Sequence, residues 1–349
     1  MSTDDAITGA WDHVPADQMR LLTKVARMYH ERGLRQPQIA EQLHVSQPRV
    51  SRLLKQAVEV GIVRTTVVAP RGTHAALEEV LEQRFGLAEV VVADTDGVDD
   101  ETGVLPAIAS AAAAYLEATL TGGDRIGISS WSSTLLATVD AMRARNSQVA
   151  THVVQVLGGV GTNSAQTQAT RLTGRLAQVT RAEAVYLMAP GLLATPGMRD
   201  VLITEPNIAR VLEQYVGLTV ALVGIGSLEP SPLLRASGNA MAGVELEELR
   251  LAGAVGDICL RFFDRHGEHV ASELDRRVLG IGARTLREVP RRIAVAGGRR
   301  KWGAIEAAVR GGWVSVLVTD LHTAEQLAER ATPAPLQSAT VTAGEPARP

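Results

Sequence analysis

Residues 36–64 read QPQIAEQLHVSQPRVSRLLKQAVEVGIVR, and the spacing predicts a helix, a tight turn and a second helix. Pro37 suits the first turn of a helix, where a missing N–H is no loss. Ile39, Ala40 and Leu43 share one face, and Ala40 is small where two helices would cross closely. His44 and Val45 make the turn, with Val45 filling the space between the helices. Ser46 stands where an N-cap accepts an otherwise unpaired backbone N–H. In the second helix Val50, Leu53, Leu54, Ala57 and Val58 line up as one apolar stripe. Arg52 points away from it, flanked by Arg49, Ser51, Lys55 and Gln56, and Gly61 stops the helix.

Upstream, Leu21, Leu22, Val25, Ala26 and Tyr29 supply a third stripe, so three short helices can close a small core. Residues 62–69, IVRTTVVA, are β-rich and predict a short strand or wing. From Met19 to Thr65 nine Lys/Arg face three acids, a net of +6; the whole chain carries −3, so the rest carries about −9. A basic helical head on an acidic body is the charge pattern of a DNA reader, and a helix of this kind enters the major groove of double-stranded DNA. Ser46, Gln47, Arg49, Ser51 and Arg52 are the candidate base or phosphate contacts, and Lys55 the candidate phosphate contact. The competing reading is a solvated helical hairpin or dimerisation module. It does not account for cap, turn, stripe and charge agreeing at once.

At 349 residues and 46% hydrophobic, the chain has room for two domains and a sizeable core. Its one cysteine, Cys259, excludes an internal disulfide framework and fits a reducing compartment. That residue follows Gly-Asp-Ile and reads as core. The polar, acidic start shows no signal peptide, and no apolar run is long enough to span a membrane, so the expected location is the cytoplasm. Residues 1–17 and 331–349 read as disordered ends, 18–69 as the DNA-binding head, and 70–330 as the body, with Pro70-Arg71-Gly72 as a hinge.

In the body, β-rich runs at 88–92, 125–128, 151–157, 184–188, 220–223, 258–263, 293–296 and 316–318 alternate with helical patterns. The alternation predicts an α/β domain with a parallel sheet covered on both faces. Such a sheet binds ligands at the carboxyl ends of its strands. The candidate loops sit there: the hydroxyl-rich 129–134, with Ser130, Ser132, Ser133 and Thr134; Gly158 and Gly159; Gly224 and Gly226; and Gly297-Gly298 followed by Lys301. A tight turn explains any one of them, but four at successive strand ends point to one pocket. With three lysines against 32 arginines, the placement of Lys301 after AGGRR suggests an anion or sugar-hydroxyl contact rather than a solvated surface lysine. Trp131 could stack on a sugar or pack in the core. His152, His266, His269 and His322 lack metal-ligand spacing, and no metal or cofactor is implied.

The segment IAEQLHVSQPRVSRLLKQAVEVGIV resembles the helix-turn-helix of the SorC/DeoR family of sugar-binding transcriptional regulators. Six further stretches follow in that family's order: IGISSWSSTLL (126–136), VVQVLGGVGT (153–162), VALVGIGS (220–227), GAVGDICLRFFDRHG (253–267), IAVAGGRRKWGAI (293–305) and VLVTDLHTA (316–324). The resemblance covers Met19 to Ala328. His44 departs from the glycine that many such turns carry. The resemblance implies a winged-helix-like head and a body like that of ribose-phosphate isomerases, glucosamine-phosphate deaminases and CoA-transferases. It also implies a sugar, polyol or sugar-phosphate effector, no catalysis, and homo-oligomers (dimers pairing into tetramers) on an operator. It places Arg171 near an effector phosphate and Asp257 near the sugar. An exposed helical arginine and a turn aspartate bonding its own backbone stand beside those two readings.

Two other functions are open. A sugar-phosphate isomerase or deaminase with an accessory head needs a positioned general base. Asp257 stands alone for that role, and Asp94, Asp96, Asp99 and Asp100 read as a solvated loop. A purely structural oligomeric DNA-binding protein would bind no small molecule.

Overall fold

A computed structural model describes residues 15–63 and 73–330, except 96, 99, 240 and 242. The expected wing beyond residue 63, the hinge, most of the N-terminal end and the C-terminal tail lie outside the described residues. The chain divides into two compact units, Met1–Pro70 and Arg71–Pro349.

The first unit holds α1 (Ala16–His30), α2 (Gln36–Gln42) and α3 (Gln47–Glu59). Helix α1 begins inside the stretch expected to be disordered, with Asp17 in its first turn, where a carboxylate opposes the helix dipole favourably. Pro37 lies in the first turn of α2, and the backbone N–H of Arg35 donates to Gln38 Oε1 at 2.9 Å. The turn forms as expected: His44 adopts φ 54°, and the half-buried Val45 donates its N–H to Ala40 O at 2.9 Å. Ser46 occupies the N-cap position without a side-chain capping bond.

Leu22, Val25, Ala26, Met28, Ile39, Ala40, Val50, Leu53, Leu54 and Ala57 form the core of this unit. Two expected members differ. Tyr29 is 39% exposed and Met28 takes its place, while Val58 is 54% exposed. The segment after α3 turns back, with Val63 N–H donating to Ala57 O at 3.0 Å. Val60, Ile62 and Val63 then cover the end of the core that Val58 was expected to fill.

The second unit is built on seven parallel strands. In chain order its elements are α4 (Ala75–Phe85), β1 (Glu89–Ala93), α5 (Glu101–Thr119), β2 (Asp124–Ile128), α6 (Ser133–Ala141), β3 (Ala150–Gln155), α7 (Asn163–Thr180) and β4 (Glu183–Val185). Next come α8 (Pro196–Leu202), α9 (Pro206–Glu213), β5 (Val220–Val223), β6 (Gly226–Ser227), α10 (Pro232–Ala236), α11 (Gly243–Leu251), β7 (Ala254–Ile258) and β8 (Arg261–Asp264). The last are α12 (Glu273–Arg277), α13 (Ala283–Glu288), β9 (Arg291–Val295), α14 (Trp302–Arg310), β10 (Val316–Asp320) and α15 (Leu321–Arg330).

The large sheet runs β1-β10-β9-β5-β2-β3-β4, every pair parallel. Successive side chains alternate between two cores, as the period of a strand requires. Ile126, Ile128, Val153, Val220, Leu222, Val316 and Val318 face one core, with Ile108 and Leu116 of α5, Leu135 and Val139 of α6, and Leu172 and Leu176 of α7. Val154, Ala221, Val223, Ala294 and Leu317 face the other, with Leu81, Ile305, Ala308 and Leu327 from α4, α14 and α15. Both faces are dry, which is why these strands read as unbroken apolar runs.

One predicted strand is replaced. The run 258–263 was expected to join the parallel sheet. Instead β7 and β8 form an antiparallel hairpin that pairs with β6 in a separate three-stranded sheet. The chain reverses at Cys259 and Leu260, with φ of 54° and 60°. A turn through two left-handed non-glycine residues carries no sequence signal.

Candidate functional site

All six candidate DNA contacts are exposed, Ser46 at the N-cap of α3 and Gln47, Arg49, Ser51, Arg52 and Lys55 along it. Arg52 and Lys55 lie on the side opposite the buried Val50, Leu53, Leu54 and Ala57, with Arg49 and Ser51 flanking that stripe. Arg52 Nε donates along the helix to Pro48 O at 3.4 Å, and Lys55 lies 3.8 Å from Glu59. Such surface pairings are weak and leave both cations able to reorient toward phosphate.

In the second unit a cleft opens at the carboxyl ends of β2, β5 and β9. Strand β2 is flanked by β3 on one side and β5 on the other, so its two neighbours follow it by opposite routes. That is where an open α/β sheet leaves a crevice. From β2 come Ser129, Trp131, Ser132, Ser133 and Thr134; from β5 and β6, Gly224, Gly226 and Ser227. The hairpin turn brings Asp257, Cys259 and Leu260, the turn after β9 brings Arg300 and Lys301, and the start of α5 brings Glu101.

Asp257 forms part of the wall, with its residue 7% exposed. Its Oδ2 accepts the Leu260 N–H at 2.9 Å, so it is both a turn aspartate and a cleft residue. Burial pushes its carboxyl up to about 6, against the pull of that N–H and of the Lys301 ammonium. Gly226 has no side chain because a Cβ there would meet Asp257 Oδ1 at 2.1 Å. The Lys301 Nζ lies 2.8 Å from Glu101 Oε1, with its side chain 12% exposed. Arg300 adds a contact of 2.7 Å to Glu101 and one of 3.6 Å to Glu229. Although burial works against the charge, Lys301 and Arg300 hold the Glu101 carboxyl below its ordinary range. Cys259 is buried, and burial pushes its thiol up to about 12, against the pull of a hydrogen bond with the Ser129 side chain. It is core, as the sequence suggested.

Ser132, Ser133, Thr134, Gly226, Asp257 and Lys301 thus come together in one cleft. Five other candidates lie elsewhere. Ser130 is buried and shares a 2.9 Å hydrogen bond with Thr173 of α7. Gly158 uses its carbonyl to accept from Trp131 Nε1 and Asn239 Nδ2, both at 2.9 Å. A Cβ on Gly159 would lie 2.2 Å from the Trp131 ring, so this glycine exists to seat the indole. Arg171 is exposed on α7 and forms two bonds to Asp140, at 2.9 and 2.8 Å. Gly298, at φ 89°, donates its N–H to Asp320 Oδ2 at 2.8 Å and shapes the turn that carries Arg300 and Lys301.

Trp131 packs in the core, 4% exposed, and the same side chain forms part of the cleft wall. Glu101, Glu229 and Arg300 were missed. Among the described residues there is no cluster able to hold a metal ion and no helix long and apolar enough to cross a membrane.

Fold and site together define a regulator with a helix-turn-helix head and a ligand-binding α/β body. Residues 16–62 match the family described as "Helix-turn-helix domain", and residues 70–329 match the family described as "Putative sugar-binding domain". The deoxyribonucleoside regulator of Bacillus subtilis (strain 168) is 32% identical over 311 residues, covering 89% of this chain and 98% of that protein. The sorbitol operon regulator of Klebsiella pneumoniae is 33% identical over 316 residues, with the same two coverages of 89% and 98%. The crystal structure of full-length SorC from Klebsiella pneumoniae superposes with a TM-score of 0.67 at 31% identity, covering 90% of this chain and 100% of that one. The chain belongs to the SorC/DeoR family of sugar-binding transcriptional regulators.

Proposed function

We propose that this protein binds an operator through α3 and releases or rearranges on it when a sugar, polyol or sugar phosphate fills the cleft. One observation carries the reading. A strand-end cleft with clustered hydroxyls, a deep lysine and a buried carboxyl lies in the same chain as an exposed basic recognition helix. Ser46 and Gln47 stand at the start of α3, while Arg49, Ser51, Arg52 and Lys55 extend along its outer face. They are the groups to meet bases and phosphates in a major groove. Homo-oligomers with twofold symmetry would place two heads on half-sites about 34 Å or a multiple apart. Effector binding that favours one arrangement of subunits would then change operator affinity by linkage.

The test is operator affinity with and without effector, by gel shift on the promoter of the protein's own operon. Lys301→Ala and Thr134→Val should keep operator affinity and weaken the effector response. Wild-type response in both variants would remove those residues from the site.

A second reading has one observation in its favour. An aspartate held near 6 in a cleft is a group that a proton-transferring isomerase or deaminase would use. Assays on ribose 5-phosphate and glucosamine 6-phosphate separate the two. Turnover that disappears in Asp257→Asn would overturn the non-enzymatic reading.

A further inference from the structure

We propose that the cleft is built for an uncharged polyhydroxylated ligand, a sugar or polyol without a phosphate, and that Glu101 is the group that keeps phosphate out. This rests on the effector reading above and narrows it. Among the described residues five charged side chains line the cleft: Arg300 and Lys301, set against Glu101, Glu229 and Asp257. Both cations are already paired with carboxylates. Lys301, the more deeply set, is paired with Glu101 at 2.8 Å, and Arg300 is shared between Glu101 at 2.7 Å and Glu229 at 3.6 Å.

A phosphate monoester carries about −1.5 to −2 at neutral pH. To reach Lys301 it must displace Glu101 into a wall that already holds two other acids, and like charges brought together without water between them repel strongly. Among the described residues no other cation lines the cleft to compensate. Arg171 belongs to a separate surface depression with Asn163, Gln166, Thr167 and Thr170, and it is engaged by Asp140. The amino-terminal end of α6 adds only about half an elementary charge, and one of its N–H donors, that of Leu135, is already taken by Ser132.

What the cleft offers instead is a hydrogen-bonding surface for hydroxyls. Ser129, Ser132, Ser133, Thr134, Ser227 and Ser231 line it. Ser132 and Ser231 accept from Leu135 and Leu234 N–H, which leaves their own protons to donate. The carboxylates, acceptors only when ionised, suit neighbouring hydroxyls on a polyol chain or ring.

The test is calorimetry on the full chain with matched pairs: glucitol and glucitol 6-phosphate, ribose and ribose 5-phosphate, erythritol and erythritol 4-phosphate. For any pair that binds, the neutral member should be tighter by roughly tenfold or more. A phosphorylated member binding more tightly would overturn the inference and leave the effector reading standing. Silence from every pair would count against the effector reading itself. The charge argument is then decided independently with inorganic phosphate at constant ionic strength. Wild type should bind it weakly, and Glu101→Gln, which frees Lys301, should bind it at least about tenfold more tightly. Glu229→Gln, at the exposed rim, serves as a second variant with a smaller gain in the same direction. Equal phosphate affinity in wild type and both variants would refute the role given to the carboxylates.

Discussion

Asp257→Asn tests the electrostatics of the cleft directly. The folded protein holds the Asp257 proton up to about pH 6, whereas the unfolded chain gives it up near the ordinary 3.8. Between those values the folded state binds more protons, so stability falls as pH rises through the window and is flat above it. The gap is about two units, and at roughly 1.4 kcal/mol per unit the full penalty is about 3 kcal/mol. About half of that is already spent at pH 5, leaving roughly 1.5 kcal/mol to be lost between pH 5 and pH 8.

Asparagine keeps an oxygen to accept the Leu260 N–H and cannot ionise. Urea unfolding at pH 5 and pH 8, followed by tryptophan fluorescence without ligand, reads the difference. The variant should gain on wild type by about 1.5 kcal/mol across that range. Other titrating groups cancel in the comparison, and Cys259, pushed up to about 12, does not titrate in it. A gap that does not change with pH would mean the carboxyl titrates normally and is not desolvated by the hairpin turn.

Three further outcomes follow from named residues. Arg52→Ala should weaken operator binding by about 1–3 kcal/mol, and Lys55→Ala should lower the salt dependence of binding by about one counterion, both read by gel shift across a salt series. His44→Gly should stabilise the head by up to about 1 kcal/mol, because the left-handed φ of 54° costs histidine more than glycine; a lower melting temperature would refute this. Gly226→Ala should abolish effector response while preserving operator binding, since the new Cβ would sit 2.1 Å from Asp257 Oδ1 and force that carboxyl out of place.

The head and the parallel sheet were legible because burial is periodic there. One buried stripe defines α3, and strands buried on both faces, such as 220–223, stand out as apolar runs. The β7–β8 hairpin was not legible, because its turn uses Cys259 and Leu260 where a glycine or asparagine would have announced it. Glycines misled in the other direction. Gly158 and Gly159 are small to admit the Ala189 carbonyl and the Trp131 ring, not a ligand. Glu101 was missed because it lies 199 residues before Arg300 in the chain, and only folding brings the two together. A local signal did exist. Asp100 accepts from the N–H groups of Thr102 and Gly103 and caps the start of α5. An Asp-Glu pair ahead of an apolar run is a helix-start signature.

The cleft draws its walls from segments scattered between Glu101 and Lys301, so it exists only when the whole body is assembled. A ligand bridging those segments therefore opposes global unfolding rather than the movement of one loop. At a hundred times its dissociation constant it adds about 2.7 kcal/mol to the stability of the folded state. In a cell where proteases remove unfolded chains, a gain of that size changes abundance several-fold. An effector bound in this way would govern how long each copy of the regulator survives as well as how tightly it holds DNA. A pulse of such a ligand would be remembered, after the ligand is gone, in the number of copies left behind.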